Sequence, residues 1–176
     1  VNITIPDSVN SIGNMTFFGC AIKNINIPNS VTIIKRGAFW SCPSLTSINI
    51  PESVTSIDSI VLNECNNLKC VIINNPDCEI SNAKDTIPET AVIYGYKNST
   101  AQTYAESFNR KFISLEEIGD ISGNGEIDLY DAIEIAKAIM GLRTFTAEEM
   151  IIADFNMDGT VDLYDAIEIA RTLLPK

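Results

Sequence analysis

Histidine is absent from this chain of 176 residues. That absence excludes Ser-His-Asp and Cys-His catalysis, His-based zinc sites and the usual proton shuttle near neutral pH. Bases are scarce: 12 Lys and Arg stand against 23 Asp and Glu, a net charge of −11. No basic patch is available to neutralise phosphates, which argues against nucleic acid. No apolar run is long enough to cross a bilayer. The five cysteines (Cys20, Cys42, Cys65, Cys70 and Cys78) form no CxxC pair, and an odd number cannot make a complete disulfide framework. No charged n-region and apolar h-region follow Val1, so no signal peptide is expected within this stretch, and a mature or trimmed chain would look the same. What remains is 45% apolar residues in 19.3 kDa, enough core for one large or two small domains.

Two unrelated internal repeats organise the chain. In the first half Ile3-Thr-Ile-Pro-Asp-Ser-Val9 returns as Ile25-Asn-Ile-Pro-Asn-Ser-Val31 and Ile48-Asn-Ile-Pro-Glu-Ser-Val54, with a degenerate fourth copy at Val71-Ile-Ile73. The offsets are 22, 23 and 23 residues, and Ile22, Leu45 and Leu68 keep step, as do Cys20, Cys42 and Cys65. Such a period is too short for a helix pair and suits one solenoid coil with one short strand. The I-x-I alternation turns both isoleucines inward, and the proline ends each strand by removing a ladder donor. Stacking predicts an internal column of Ile5, Ile27, Ile50 and Ile73, with the cysteines as small buried hydrophobes in another. The outward strand positions are Thr4, Asn26, Asn49 and Ile72.

These residues resemble leucine-rich repeats of the bacterial BspA-like type, with I-x-I-P-x-S-V and an alanine–phenylalanine pair supplied by Ala38-Phe39. At that pair the first coil departs with Phe17-Phe18 and the third with Val61-Leu62. The resemblance covers residues 1–87. An array that starts inside a coil without a polar cap exposes a strand edge, so the natural protein is expected to continue upstream. Residues 88–118 break the period. Ala91–Tyr96 reads as a strand, Ser99 as the N-cap of a helix over 100–109 with Ala101, Tyr104, Ala105 and Phe108 on one face, and Lys111–Leu115 as a further strand. The segment looks like the C-terminal cap and linker of such an array.

From Asp120 the composition turns acidic: residues 119–176 hold 12 acids and 4 bases. Asp120-Ile-Ser-Gly-Asn-Gly-Glu-Ile-Asp-Leu-Tyr-Asp131 matches Asp154-Phe-Asn-Met-Asp-Gly-Thr-Val-Asp-Leu-Tyr-Asp165 at an offset of 34. Each loop offers oxygens at positions 1, 3, 5, 9 and 12, with Gly125 or Gly159 at position 6, which is the arrangement of a calcium loop. A hard cation takes six to eight oxygens at about 2.4 Å, and a 12-residue loop turns alternate residues inward to supply them. The candidate ligands are Asp120, Ser122, Asn124, Glu126, Asp128 and Asp131 in one loop, and Asp154, Asn156, Asp158, Thr160, Asp162 and Asp165 in the other, for two Ca2+. Glu126 and Thr160 hold position 7, whose backbone carbonyl is the ligand. Ile127 and Val161 anchor the loops to the core. A tetratricopeptide reading of the 34-residue period fails because glycines fall among clustered aspartates.

A helix of about three turns follows each loop, Leu129–Met140 and Leu163–Leu174. Ala132, Ile135, Ala136 and Ile139 form a stripe that packs on its counterpart in the other repeat. Leu129, Tyr130, Ile133 and Met140, with Lys137 beside them, remain on another face, repeated by Leu163, Tyr164, Ile167, Leu174 and Arg171. A small domain has one core to fill, so this second stripe reads as a partner surface. The first loop lacks an entering helix, the second has one capped by Thr146 and Glu149, and position 12 is Asp in both.

These features resemble a dockerin over residues 119–176. The resemblance implies docking to a cohesin of a cellulosome scaffoldin, with Leu129, Tyr130, Leu163 and Tyr164 at the contact and Lys137 and Arg171 as polar partners. It also implies secretion to the cell surface by a fibre-degrading anaerobic bacterium. The near-identity of the copies implies a pseudo-twofold axis, which leaves both one and two docking orientations open.

The fold class expected is a short leucine-rich-repeat β-solenoid with an α/β C-terminal cap, then an all-α dockerin with two calcium-loop–helix (F-hand) repeats. The function expected is non-catalytic assembly, with the repeats as a protein or glycan interaction surface. The alternatives are an accessory part of a polysaccharide-degrading enzyme with its catalytic domain upstream, and a calcium sensor, disfavoured by the missing first entering helix. The second loop carries four ligand carboxylates against three in the first, and more ligand charge favours tighter binding. Calorimetry on single-loop knockouts is expected to find the second site tighter; the reverse order would contradict this reading.

Overall fold

The computed structural model describes residues 3–156, 158 and 160–174. Gly159, expected at the turn of the second loop, lies outside the described residues. The chain divides between Leu115 and Glu116 into two compact units.

The strands of the first unit, in chain order, are β1 (Ile3–Thr4), β2 (Ser11–Ile12), β3 (Ile25–Asn26), β4 (Ile33–Ile34), β5 (Ser47–Ile50), β6 (Ser56–Ile57), β7 (Cys70–Ile73), β8 (Glu79–Ile80), β9 (Val92–Gly95) and β10 (Phe112–Ser114). Helix α1 (Thr100–Ser107) lies between the last two. Two parallel sheets result, one ordered β1-β3-β5-β7-β9-β10 and the other β2-β4-β6-β8. The register steps by one coil, pairing Ile3 with Ile25, Asn26 with Asn49 and Ile50 with Ile73. One strand per coil was expected; each coil has two. The second pairing is only two residues long, at Ser11–Ile12 with Ile33–Ile34 and so on, too short for alternation to show.

The core column of Ile5, Ile27, Ile50 and Ile73 is buried as expected, with Ile22, Leu45 and Leu68. The I-P-x-S-V motif has a hydrogen-bonding reason. The valine amide closes a turn on the proline carbonyl at 3.0 Å in each of three coils. The serine hydroxyl donates to the preceding coil's valine carbonyl: Ser30 to Val9 at 2.7 Å and Ser53 to Val31 at 2.8 Å. In the fourth coil, where Pro76 stands at the serine's position, the Asn75 side chain donates to the Val54 carbonyl at 2.9 Å instead. The cysteines do more than fill space. The Cys42 and Cys65 thiols donate to the carbonyls of Phe17 and Phe39 one coil back, both at 3.1 Å. No disulfide joins any of the five cysteines; burial pushes the Cys78 thiol up to about 12.

One frame needs correction. The Phe17 amide bonds Ala38 O and the Phe39 amide bonds Val61 O, which aligns Phe17 with Phe39 and Leu62. The first coil's counterpart of Ala38-Phe39 is therefore Thr16-Phe17, not Phe17-Phe18. Phe17 stacks on Phe39 at 5.3 Å, while Phe18 lies against Trp40 on the surface.

The cap forms as expected. The Ser99 hydroxyl accepts from the Gln102 amide, and Ala101, Tyr104 and Ala105 face the core. Strands β9 and β10 extend the long sheet in parallel, covering the last coil.

In the second unit α2 (Leu129–Ile139), α3 (Ala147–Ala153) and α4 (Leu163–Thr172) enclose a small core of Ile121, Ala132, Ile135, Ala153, Ala166 and Ile169. Ile127 and Val161 pack against it, as anchors should. Gly119 is required: at φ +95° an added Cβ would meet the Phe155 ring at 2.6 Å. Two expectations fail at the helix ends. Ile139, placed in the core stripe, is 46% exposed because the buried cluster stops at Ile135 and Ile169. The last helix ends at Thr172, two residues short of Leu174.

Ile50→Ala is expected to lower the stability of the repeat region by about 2–5 kcal/mol in urea denaturation, and Ser53→Ala by about 1 kcal/mol. A loss below 1 kcal/mol at Ile50 would contradict the stacked column.

Candidate functional site

Each aspartate-rich loop is folded by its own carboxylates. In the first loop Asp120 accepts the amides of Asn124 (3.1 Å) and Gly125 (2.8 Å), and the Ser122 hydroxyl at 3.2 Å. Asn124 Oδ1 accepts the Glu126 amide at 2.8 Å. Gly125 takes the turn at φ +88°, the left-handed backbone that only glycine adopts without strain. Asp128 caps α2 by accepting the Tyr130 amide at 2.7 Å. Asp131 is fully buried and divides its oxygens between the Ser122 amide (2.9 Å) and the Asp128 amide (2.8 Å).

The second loop repeats the main bonds where it is described and differs at the side chains of positions 3 and 7. Asp154 accepts the Asp158 amide at 3.0 Å, with Asn156 sharing that amide at 2.9 Å. Asp162 caps α4 through the Tyr164 amide at 2.7 Å. Buried Asp165 accepts the amides of Asn156 (3.1 Å) and Asp162 (2.9 Å). The Thr160 hydroxyl donates to Asp158 at 2.6 Å, and this bond, with the Thr160 amide, holds the Asp158 carboxyl below its usual range.

The donor set is all oxygen, which suits a hard divalent cation and excludes a soft one. Asp131 and Asp165 each accept one amide per oxygen from the loop, and a carboxylate has about four acceptor sites, so half of that capacity stays open to a cation. Among the described residues, however, no three His, Cys, Asp or Glu side chains come together as a metal cluster. The oxygens of Asp120 and Asp131 are turned to loop amides instead.

The partner face expected from the sequence is largely exposed. Leu129 is 59% exposed, Tyr130 55%, Leu163 57% and Tyr164 67%, with Ile133, Met140 and Leu174 also in solvent. Ile167 departs: it is only partly exposed, unlike its counterpart Ile133. Lys137 bonds Glu134 at 2.7 Å and stands 5.6 Å from the Tyr130 ring centre. Arg171 pairs with Glu168 on the surface.

Sequence reasoning missed a network behind this face. Glu134 is buried and accepts from both Lys137 and Arg143; these two cations hold its carboxyl below the ordinary range. Arg143 also pairs with Glu149, whose other oxygen accepts the Thr146 amide in the cap of α3. The available signal was the spacing of Glu134 and Lys137 together with a lone arginine in the connector.

Fold and site together define a parallel β-solenoid followed by a helical module with paired oxygen-donor loops. Residues 1–85 match the BspA type leucine rich repeat region, in six copies, and residues 118–174 match the dockerin type I domain. The chain thus carries a BspA-type leucine-rich repeat region and a dockerin type I domain, both non-catalytic module types. Dockerin domains of this type bind calcium and cohesins.

Solved structures similar to it include a leucine rich cell surface protein from Faecalibacterium prausnitzii A2-165. That protein is 24% identical over 64% of this chain and 31% of its own, with a TM-score of 0.51. The pneumococcal vaccine antigen PcpA is 19% identical over 64% of this chain and 41% of its own, with a TM-score of 0.40. The chain therefore spans less than half the length of either. No curated protein matches it.

Asp165→Ala is expected to strip two amides of their acceptor and lower the melting stability of the chelator-treated protein by about 1–3 kcal/mol. Asp165→Asn, which keeps one acceptor oxygen, should cost less. An unchanged melting point for Asp165→Ala would show that this carboxylate does not hold the metal-free loop.

Proposed function

We propose that this chain is a calcium-dependent assembly protein whose dockerin, residues 119–176, attaches the leucine-rich repeats to a cohesin on a cellulosome scaffoldin. Two Ca2+ occupy the loops. One is held by Asp120, Ser122, Asn124, Asp128, Asp131 and the Glu126 carbonyl. The other is held by Asp154, Asn156, Asp158, Asp162, Asp165 and the Thr160 carbonyl. The ions cancel carboxylate repulsion and fix the angle at which each helix leaves its loop. The cohesin then covers Leu129, Tyr130, Ile133, Met140 and Lys137, or Leu163, Tyr164, Ile167, Leu174 and Arg171.

The single observation carrying this reading is that Leu129-Tyr130 and Leu163-Tyr164 stand in solvent directly beside the aspartates that cap α2 and α4. Large apolar groups left exposed at symmetric positions have a partner as their physical reason. The repeats are the cargo. Thr4, Asn26 and Asn49 are exposed along the long sheet, with Ile72 partly so, and this row is the contact for a protein or glycan ligand. The protein is extracellular, anchored to the cell surface through the scaffoldin, and not itself an enzyme.

Surface plasmon resonance over a panel of immobilised cohesins tests this. Retention by at least one cohesin in calcium is expected, with loss in EDTA. The double variant Leu129→Asp/Leu163→Asp should weaken binding at least about a hundredfold. Retention undiminished by EDTA, or by the double variant, would contradict the proposal.

A further inference from the structure

The two docking ridges are nearly identical in sequence but not in surroundings. Residues 128–136 and 162–170 are the same nine residues, so Glu134 and Glu168 are equivalent. Their side chains are 8% and 42% exposed. The difference comes from Arg143, which stands in the connector between α2 and α3 and pairs with Glu134 on one side and Glu149 on the other. Its guanidinium also lies 5.0 Å from the Phe145 ring centre. Glu149 is in turn fixed by the Thr146 amide and hydroxyl. Glu134 is thus clamped between the connector and Lys137.

Clamped Glu134 holds Lys137 in place over Tyr130. One of the three ammonium donors of Lys137 is used, which leaves two for a partner. On α4 the equivalent cation, Arg171, pairs with a half-exposed Glu168, a contact that water screens. Among the described residues Tyr164 has no cation against its ring, and Glu168 is paired with Arg171 of its own helix but with no connector arginine. A partner docking on α4 must therefore order side chains that α2 presents already ordered.

We propose that Arg143 is a positioning residue for docking: by clamping Glu134 and Lys137 it makes the face built on α2 the pre-organised one, so that cohesin prefers α2 over α4. The inference rests on the cohesin-binding reading above. It replaces two equivalent orientations by a ranked pair, with the ranking written in the connector and not in the ridges.

The experiment uses the full chain in calcium against the cohesin from the panel that retains the wild type. Tyr130→Ala is expected to raise Kd roughly tenfold more than Tyr164→Ala does. Arg143→Ala should raise Kd roughly fivefold through a faster off-rate and bring the penalties of the two tyrosine substitutions close together. Glu134→Gln, which keeps the shape of the side chain, should act in the same direction and guards against misfolding of the arginine variant. A purely structural role for Arg143 would weaken binding without changing the ratio of the two tyrosine penalties.

Equal penalties in the arginine-containing protein, or a ratio unmoved by both Arg143→Ala and Glu134→Gln, overturn the inference while leaving cohesin binding intact. Wild-type protein that no cohesin in the panel retains overturns both.

Discussion

In each aspartate-rich loop one fully buried carboxylate has to serve the backbone around it. Asp131 and Asp165 each accept two amides, one from position 3 of the loop and one from position 9. This closes the hairpin and at the same time ties it to the first turn of the following helix. A buried carboxylate without such partners would be prohibitively costly, so its presence dictates the loop's path. The exit direction of α2 and α4, and the display of Leu129-Tyr130 and Leu163-Tyr164, follow from that path. Calcium, on the proposed account, strengthens a geometry that the amides already favour.

The repeat region obeys a related rule. A coil is completed by the coil before it: serine hydroxyls and cysteine thiols reach back one turn to backbone carbonyls that lie outside the short strands. Both halves of the chain thus use repeated polar side chains to satisfy backbone groups that regular secondary structure does not reach. In the solenoid those side chains are neutral and the outcome is a scaffold. In the dockerin they are carboxylates, and the outcome is a pair of loops closed by their own aspartates.

Periodicity carried most of what was legible beforehand. The isoleucine columns, the capping helix after Ser99, the anchors Ile127 and Val161 and the capping box at Thr146 all repeat or follow fixed spacings, so one sequence sufficed to place them. What escaped had no period to read. The second sheet rests on two-residue pairings. The aromatic run Phe17-Phe18 allowed two frames, and only the backbone ladder chooses between them. Ile139 fits the helical stripe perfectly and is exposed because the opposing core ends one turn earlier, a fact about its partner. Arg143 stands alone in a connector, and its link to Glu134 spans nine residues of no regular spacing.

The two ridges show how near-identical segments acquire different character from what lies behind them: the same glutamate is buried at 134 and half-exposed at 168. All of this depends on the loops being cation sites in the first place. Native mass spectrometry of the full chain, titrated with calcium, measures that directly. The account predicts two ions bound per chain, falling to one when either Asp131 or Asp165 is replaced by alanine. A chain that stays ion-free at millimolar calcium would contradict it.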